Sequence, residues 1–393
     1  MRPLMPEQRK AILADISSKI LRKSGELKRA LSNTLVRNEL AGLVRTMNSY
    51  YSNLIEGHKT LPKDIDKALR QDFSESRSEQ RNQMLSVAHI ETETAMRERL
   101  FREADLDPFS ESFLCWIHRE FYSRLPESEW TTTSLTGKTF PLKPGELRGY
   151  NVDVGQHTPP DHSALPDFLE TLRSCYTGKQ ILATDQLIAA AAAHHRLAWI
   201  HPFGDGNGRV TRLHSQAVMI RCKVDCEGLW TLSRGLARNR KTYYQQLALA
   251  DQTRQSDLDG RGNLSDSNLA DFCVYFLTTL LDQIEFMLEL MELKNLNNRV
   301  EQYIRFQLTE LSSLSKDRIV NLLHVLIHKG ELARGSVQSI FGLKASASRE
   351  LIQICFAQNL IHSATPKGPL RISFNADVLE FYFPKLFTDL PVD

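Results

Sequence analysis

The chain has no long apolar run. Its densest stretch, Leu187 to Ala193, is far shorter than the ~18 consecutive apolar residues that a spanning helix needs. No membrane partner is expected. The first residues, MRPLMPEQRK, lack the apolar core of a signal peptide, so the expected location is cytoplasmic. Charge of one sign is also missing. The 393 residues carry 49 Lys+Arg against 47 Asp+Glu, a formal +2, which excludes a protein that coats polyanions through a global basic field. Cysteine is sparse and scattered, at 115, 175, 222, 226, 273 and 355. That spacing points to free thiols in a reducing compartment rather than a disulfide framework. Cys222 and Cys226 are the one close pair. They have neither a second pair nor a histidine at ligand spacing, so zinc is not expected there. β-branched alternation is scarce too. With 41% hydrophobic and 24% charged residues, the composition is that of an ordinary globular chain and not a disordered one.

What is present is helical periodicity. Residues 8–48 place Ile12, Ile16, Ile20 and Leu21, then Leu40, Leu43 and Met47, mostly at three- and four-residue spacings. Residues 110–125, 163–175, 185–200, 208–221, 267–291 and 295–311 follow the same pattern. Thr184 is expected to cap the 185–200 helix, with Asp185 near its positive end. The best strand candidate is a hairpin in 138–157 around the Pro144-Gly145 turn. Breaks are expected near 58–80, 251–266 and 311–317. The expected fold is therefore mainly α with a small β-hairpin flap.

The last segment differs. Helices are expected over 317–329, over 334–341 ending at Gly342, and over 346–358 behind a Ser346 cap. Short β pieces follow near 360–363 and 370–374. Three helices and a hairpin describe a winged helix. Residues 316–393 carry nine Lys/Arg against seven Asp/Glu, a weak footprint for DNA, and a protein-contact role is favoured over a DNA-binding one. His324 and His328 have a metalloprotease-like spacing but lack the glutamate after the first histidine, so they read as a helix face.

One stretch carries chemistry: His201-Pro202-Phe203-Gly204-Asp205-Gly206-Asn207-Gly208-Arg209-Val210-Thr211-Arg212. Pro202 stops the preceding helix. Three glycines then lead into a new helix. A glycine loop at a helix N-terminus offers free N–H groups and a positive dipole end to an anion. Arg209 and Arg212, three apart, share a helix face and can take phosphate oxygens in fork geometry. Asp205 is the lone carboxylate that Mg²⁺ commonly uses beside phosphates. His201 can titrate near neutrality, as a general base should. Phe203 has no polar task and should anchor the loop. The residues alone point to phosphate binding and do not name the reaction.

This string resembles the signature of the Fic family, HxFx(D/E)GNGRxxR, at every fixed position. The resemblance covers about residues 40–290. It implies a Fic-type helical core with an appended winged-helix domain, and AMP transfer from ATP to a Ser, Thr or Tyr hydroxyl. By position, His201 would take the hydroxyl proton and Asp205 would hold Mg²⁺. The amides of Gly206 to Arg209, including Gly208, would hold the α-phosphate region together with the Asn207 side chain. Arg209 would meet the β-phosphate and Arg212 the γ-phosphate. Residues 144–160 are similar to the family's flap, on which the target protein docks as an added strand. Tyr243 and Tyr244 would lie beside the nucleotide, His157 would contact it from the flap, and Asp251 is a weaker candidate. His194 and His195 should pack or be solvated.

Ser52-Asn53-Leu54-Ile55-Glu56-Gly57 is similar to the family's inhibitory motif. Ser52 and Glu56 share a helix face, and Gly57 suits a helix stop. Glu56 would pair with Arg212 and keep it from the γ-phosphate. The expected division is 1–100 with the inhibitory helix at about 40–57, a catalytic core over 101–291, and a winged-helix-like domain over 292–393. Self-modification and a homodimer are compatible with this reading. Two rivals are AMP removal at the same site, with Glu56 positioning a water, and a nucleotide-sensing regulator that binds DNA.

Overall fold

The computed structural model describes residues 5–31, 33–133, 137, 139–155, 157–177, 182–260 and 262–391. Lys138 and Gln156 of the expected flap lie outside them. Sixteen α-helices are formed by the described residues. The helical periodicity over 8–48 resolves into two helices, α1 (Lys10–Ala30) and α2 (Thr34–Ile55). The break falls at Asn33, whose side chain accepts from the Leu35 and Val36 N–H groups and so restarts the helix as an N-cap. The expected interruption near 58–80 contains a short helix, α3 (Pro62–Leu69), with proline in its first turn. The start of α4 (Arg77–Arg102) follows.

Next come α5 (Glu111–Tyr122), α6 (Leu165–Tyr176), α7 (Ala183–Ile200) and α8 (Asn207–Arg221). The chain continues through α9 (Leu232–Arg238), α10 (Arg240–Ala250), α11 (Asp266–Leu290) and α12 (Leu293–Gln307). Thr184 does not cap α7. The helix begins one residue before it, behind Leu182 and with no side-chain cap, although Asp185 does lie in the first turn. The expected loop at 251–266 is irregular apart from a Thr253–Leu264 bridge, and Ser265 caps α11 by accepting from the Asn268 N–H.

The small sheet is not where turn chemistry pointed. β1 (Thr131–Thr133) pairs antiparallel with β2 (Thr139–Pro141), Thr132 opposite Phe140. After Pro141 the chain turns at Pro144-Gly145 but forms no hairpin. The Gly145 N–H goes to His118 Nδ1 at 2.8 Å instead of to a strand partner. Among the described residues of 144–160 the ladder is a single Val154–His157 bridge.

The core rests on helices that are apolar around most of their circumference, as buried helices are. Leu187 to Ala193 of α7 are all buried. α11 packs against α1, α7, α9 and α10, and α2 lies among α4, α8 and α9. α8 is the exception. It is buried yet polar, with Arg209, Thr211, Arg212, His214, Ser215 and Gln216 all inside. Buried polar side chains need partners, and their concentration on one helix marks the site.

The C-terminal segment forms α13 (Ser313–Lys329), α14 (Arg334–Phe341) and α15 (Ala345–Ala357). β3 (Ile361–His362) then pairs antiparallel with β4 (Arg371–Ile372), with a Leu332–Leu370 bridge beside them. Ser346 is not a cap. α15 starts at Ala345 behind Lys344, without a side-chain bond. α13 starts four residues earlier than its periodicity suggested, because Ser312 accepts from the Ser315 N–H. A last turn, α16 (Leu379–Tyr382), leads into a segment that returns to α2. There the Tyr51 hydroxyl donates to the Leu386 carbonyl at 3.0 Å and accepts the Thr388 N–H at 2.9 Å. Tyr50 stacks edge-on against Phe387. The apolar core is thereby continuous from Leu13 to Leu386. Among the described residues, no helix is long and apolar enough to cross a membrane.

Candidate active site

α7 and α8 run into one loop, and the loop is what positions the chemistry. His201 ends α7 in the left-handed region, at φ 51° and ψ 62°, with its N–H on the Leu197 carbonyl. A side chain with a Cβ pays about 1–3 kcal/mol there, so its surroundings must impose the conformation. Phe203 is fully buried and stacks on His118 at 4.2 Å, as expected of a loop anchor. Gly206 takes φ 75° as the N-cap of α8, and an added Cβ would lie 2.8 Å from the Tyr122 ring. No other residue type suits that position.

Asn207 also shapes the loop. Its Oδ1 accepts the Phe203 N–H at 2.9 Å, and its Nδ2 donates to the Phe203 carbonyl at 2.8 Å. One donor and one acceptor of the amide are thus spent on shaping the loop, and the second Nδ2 hydrogen remains for an anion.

A cavity of about 1080 Å³ opens beside this loop. Glu56, His157, His201, Asn207, Gly208, Arg212, Tyr243 and Tyr244 are on its wall. Asp205, Gly206 and Arg209 are not among its lining residues. Asp205 Oδ2 accepts from the Tyr122 hydroxyl at 2.7 Å. Burial pushes the Asp205 carboxyl up, but Arg209, Tyr122 and the Gly206 N–H outweigh it and hold it below the usual carboxylate range. Arg209 is buried with its guanidinium 5.1 Å from the Phe121 ring, and its Nε has no partner. In this arrangement Arg209 supports Asp205 and also lies close enough to Glu56 to lower its carboxyl.

Arg212 does reach it. Its Nε donates to Ser52 Oγ at 3.0 Å, and its Nη2 donates to the Ser52 carbonyl at 2.9 Å and to Glu56 Oε1 at 2.7 Å. Glu56 is the C-cap of α2, and Gly57 follows at φ 85° as a helix stop. The Glu56 carboxylate sits against the N-terminal turn of α8, and a Cβ on Gly208 would collide with its Oε1. An acid at a helix C-terminus is unfavourable. Here it is compensated by a second helix's N-terminus and an arginine. Burial pushes the carboxyl up, yet Arg212 and Arg209 prevail and keep it below its ordinary value.

His201 is held neutral. Desolvation lowers its pKa to about 4, against an opposing bond to the Ala198 backbone. A neutral imidazole at neutral pH can accept a proton. Tyr243 is buried beneath the cavity, its hydroxyl 2.9 Å from His194 Nε2. His194 Nδ1 lies 2.7 Å from Ser215 Oγ, which itself donates to the Thr211 carbonyl. That order makes Nδ1 the protonated nitrogen and Tyr243 the donor to Nε2. The Tyr243 proton is thus committed to the core. Tyr244, half-exposed, donates to the Ile55 carbonyl at 3.1 Å, next to Glu56. His157 Nε2 lies 2.8 Å from the Trp199 carbonyl. His195 is buried and bonded to Asp251 Oδ1 at 3.0 Å, so both histidines of that pair pack, and Asp251 faces one of them. His324 likewise lies on a helix face, its Nε2 3.2 Å from the Asn297 carbonyl.

Sequence reasoning missed Tyr122 and Arg148. Tyr122 reads as one apolar position of α5, and no sequence signal marks it as Asp205's partner. Arg148, in LRGYNVDVG, is nearly fully buried and bonds the His201 carbonyl at 2.9 Å. Among the described residues no three metal-ligating side chains cluster, the Cys222–Cys226 region included. The donor set still suits Mg²⁺, which typically takes one or two carboxylates and completes its shell with water and phosphate. Asp205 supplies such an oxygen.

Residues 108–219 match the Fic/DOC family model. The protein adenylyltransferase Fic of Aedes aegypti is 38% identical over 87 residues, which are 22% of this chain and 17% of that protein. Protein adenylyltransferase fic-1 of Caenorhabditis elegans is 34% identical over 87 residues, with the same coverage. The chain thus spans about a sixth of the length of these curated relatives. A crystal structure of a Fic family protein from Desulfovibrio desulfuricans superposes over 94% of this chain and 98% of that one, with a TM-score of 0.55 at 16% identity. At that identity the likeness establishes a shared fold.

Proposed function

We propose, from the match of residues 108–219 to the Fic/DOC family model and the similarity to protein adenylyltransferases, that the chain transfers AMP from ATP to a protein hydroxyl, restrained by Glu56. The observation that carries this is the Arg212–Glu56 pair at 2.7 Å, on the wall of the same cavity as neutral His201. ATP would lie with its phosphates over the N-terminus of α8, where Arg212 takes the γ-phosphate once Glu56 yields it. His201 accepts the proton of the target hydroxyl as that oxygen attacks the α-phosphorus. The new P–O bond forms, the bond to the bridging oxygen breaks, and pyrophosphate leaves in line. Positioning and charge stabilisation supply most of the acceleration. Asp205, fixed by Tyr122 and Arg209, would hold Mg²⁺, which neutralises phosphate charge when bound.

The target protein would dock along residues 144–160, of which Val154, Gly155, His157 and Thr158 line the cavity. The chain's own hydroxyl groups, or a second copy of the chain, would also serve as target. The helices and hairpin after residue 313 support a winged-helix-like module over 292–393, beside a helical region over 1–100 and a catalytic core over 101–291. The six free cysteines are in keeping with a reducing, cytoplasmic setting.

The test is incubation with α-labelled ATP and Mg²⁺. Glu56→Gly should raise label incorporation above the wild type. Adding His201→Ala should then remove about 10²–10⁴-fold of it, the range for a general base. Label that survives His201→Ala would defeat the mechanism.

A further inference from the structure

The 144–160 segment presents a physical problem. It borders the cavity, yet among its described residues the ladder is one bridge, between Val154 and His157. Something other than sheet pairing must hold it. His201 poses a second problem, since its left-handed backbone needs an imposed cause.

One side chain answers both. The Arg148 guanidinium donates from Nε to the His201 carbonyl at 2.9 Å, from Nη1 to the Tyr150 carbonyl at 2.8 Å and from Nη2 to the Pro160 carbonyl at 2.6 Å. Its own N–H donates to the Pro202 carbonyl at 2.9 Å. It therefore grips consecutive carbonyls of the catalytic loop and both ends of the 150–160 loop. A planar guanidinium projects donors from three nitrogens in a fixed fork, which lysine's single ammonium cannot reproduce. Arg148 is 4% exposed and makes no ion pair among the described residues. Its charge is spent on backbone oxygens.

We infer that Arg148 is the positioning residue that sets His201 toward the cavity and holds the target-docking loop opposite it. Base and docking surface are then registered by one rigid group. This rests on the AMP-transfer reading above. Arg148 also acts on His201 through its charge. Besides the dominant effect of burial, the charged and titratable groups facing His201 are Arg148, His157 and Asp205. Arg148 and His157 disfavour the imidazolium, and Asp205 favours it.

The experiment uses the full chain with Glu56→Gly as parent. Arg148→Gln and Arg148→Lys are compared by histidine NMR titration, affinity for adenylyl-imidodiphosphate, and label incorporation from α-labelled ATP. Arg148→Gln should raise the His201 titration midpoint from about 4 and lower incorporation about 100-fold, the cost of a displaced reacting group, with analogue affinity unchanged. Arg148→Lys should restore the titration but not the rate, because charge returns without the fork. Two results would overturn the proposal: Arg148→Gln with unchanged titration and rate, or Arg148→Lys with full rate. A parent that incorporates no label would instead defeat the AMP-transfer reading, and the titration would still judge Arg148.

Discussion

Two clusters of buried charge lie one turn apart on α2, and they are built in opposite senses. At the first, Asn48 and Arg97 hold Glu93, with Asn48 Nδ2 at 2.7 Å and Arg97 Nε at 3.0 Å, and Arg97 also reaches Asp225 at 2.8 Å. Asn48 in turn accepts from Thr231. At the second, Ser52 and Glu56 hold Arg212. In the first cluster the acid is the inner member, its side chain 4% exposed against 17% for Arg97. In the second the order is reversed, with Arg212 at 3% and Glu56 at 27%. Glu93 is enclosed by helices α2 and α4. Glu56 faces a cavity, and its arginine is gripped from behind by Ser52. In the proposed reading an arriving anion would replace Glu56 from the cavity, whereas Glu93 is closed off among its helices. A structural charge cluster and an exchangeable one would then differ in which partner faces the water.

Substitutions can break this contrast. Glu93→Ala should be the most severe, costing about 3–5 kcal/mol of stability because it leaves a buried cation short of its partner. Thermal or urea unfolding would measure it, and a loss no larger than that of Glu56→Ala would erase the distinction. Glu56→Gly should raise AMP incorporation about 10- to 100-fold, equivalent to about 1.4–2.8 kcal/mol of released restraint. A rise no greater than that of Glu93→Gln would mean that Glu56 is not the exchangeable acid. Ser52→Ala removes one of two bonds that hold Arg212 from behind. It should cost about 1.5 kcal/mol, at the low end for a bond to a charged group, since the Ser52 carbonyl remains. It should also weaken binding of an ATP analogue in the Glu56→Gly background, which calorimetry would show.

The smallest effect is in pH. Glu56 and Glu93 both sit below their ordinary 4.5, burial being outweighed by the arginines beside each. A depressed carboxyl stabilises the fold above its unfolded pKa, and that contribution fades as pH falls through the folded value. The stability gap between wild type and Glu56→Gln should therefore shrink on acidification below about pH 4.5. A gap that widens instead would reverse the sign.

The sequence made the loop legible because its parts are contiguous. His201, Asp205 and the two arginines stand within twelve positions, and spacing alone places them at one helix N-terminus. Glu56 was legible through the resemblance of Ser52 to Gly57 to the family's inhibitory motif. Directions of side chains were not. Asn207 and Arg209 belong to the motif, yet Asn207 folds back on Phe203 and Arg209 turns toward Asp205, as local packing decides. The hairpin was misplaced because Thr131–Thr133 has no apolar alternation, while the Pro144-Gly145 turn spends its N–H on a histidine of α5. Arg148 was hidden because its partners are backbone carbonyls, which no side-chain pattern announces.

The tyrosine pair of α2 also has a bearing on timing. Tyr51 and Leu386 are 335 positions apart, so their contact cannot exist until nearly all of the described chain has left the ribosome. The catalytic loop at 201–212 is complete much earlier. At roughly 5–20 residues per second, the interval is on the order of ten seconds or more. During synthesis, the helix bearing Ser52 and Glu56 waits that long for its outer face to be covered.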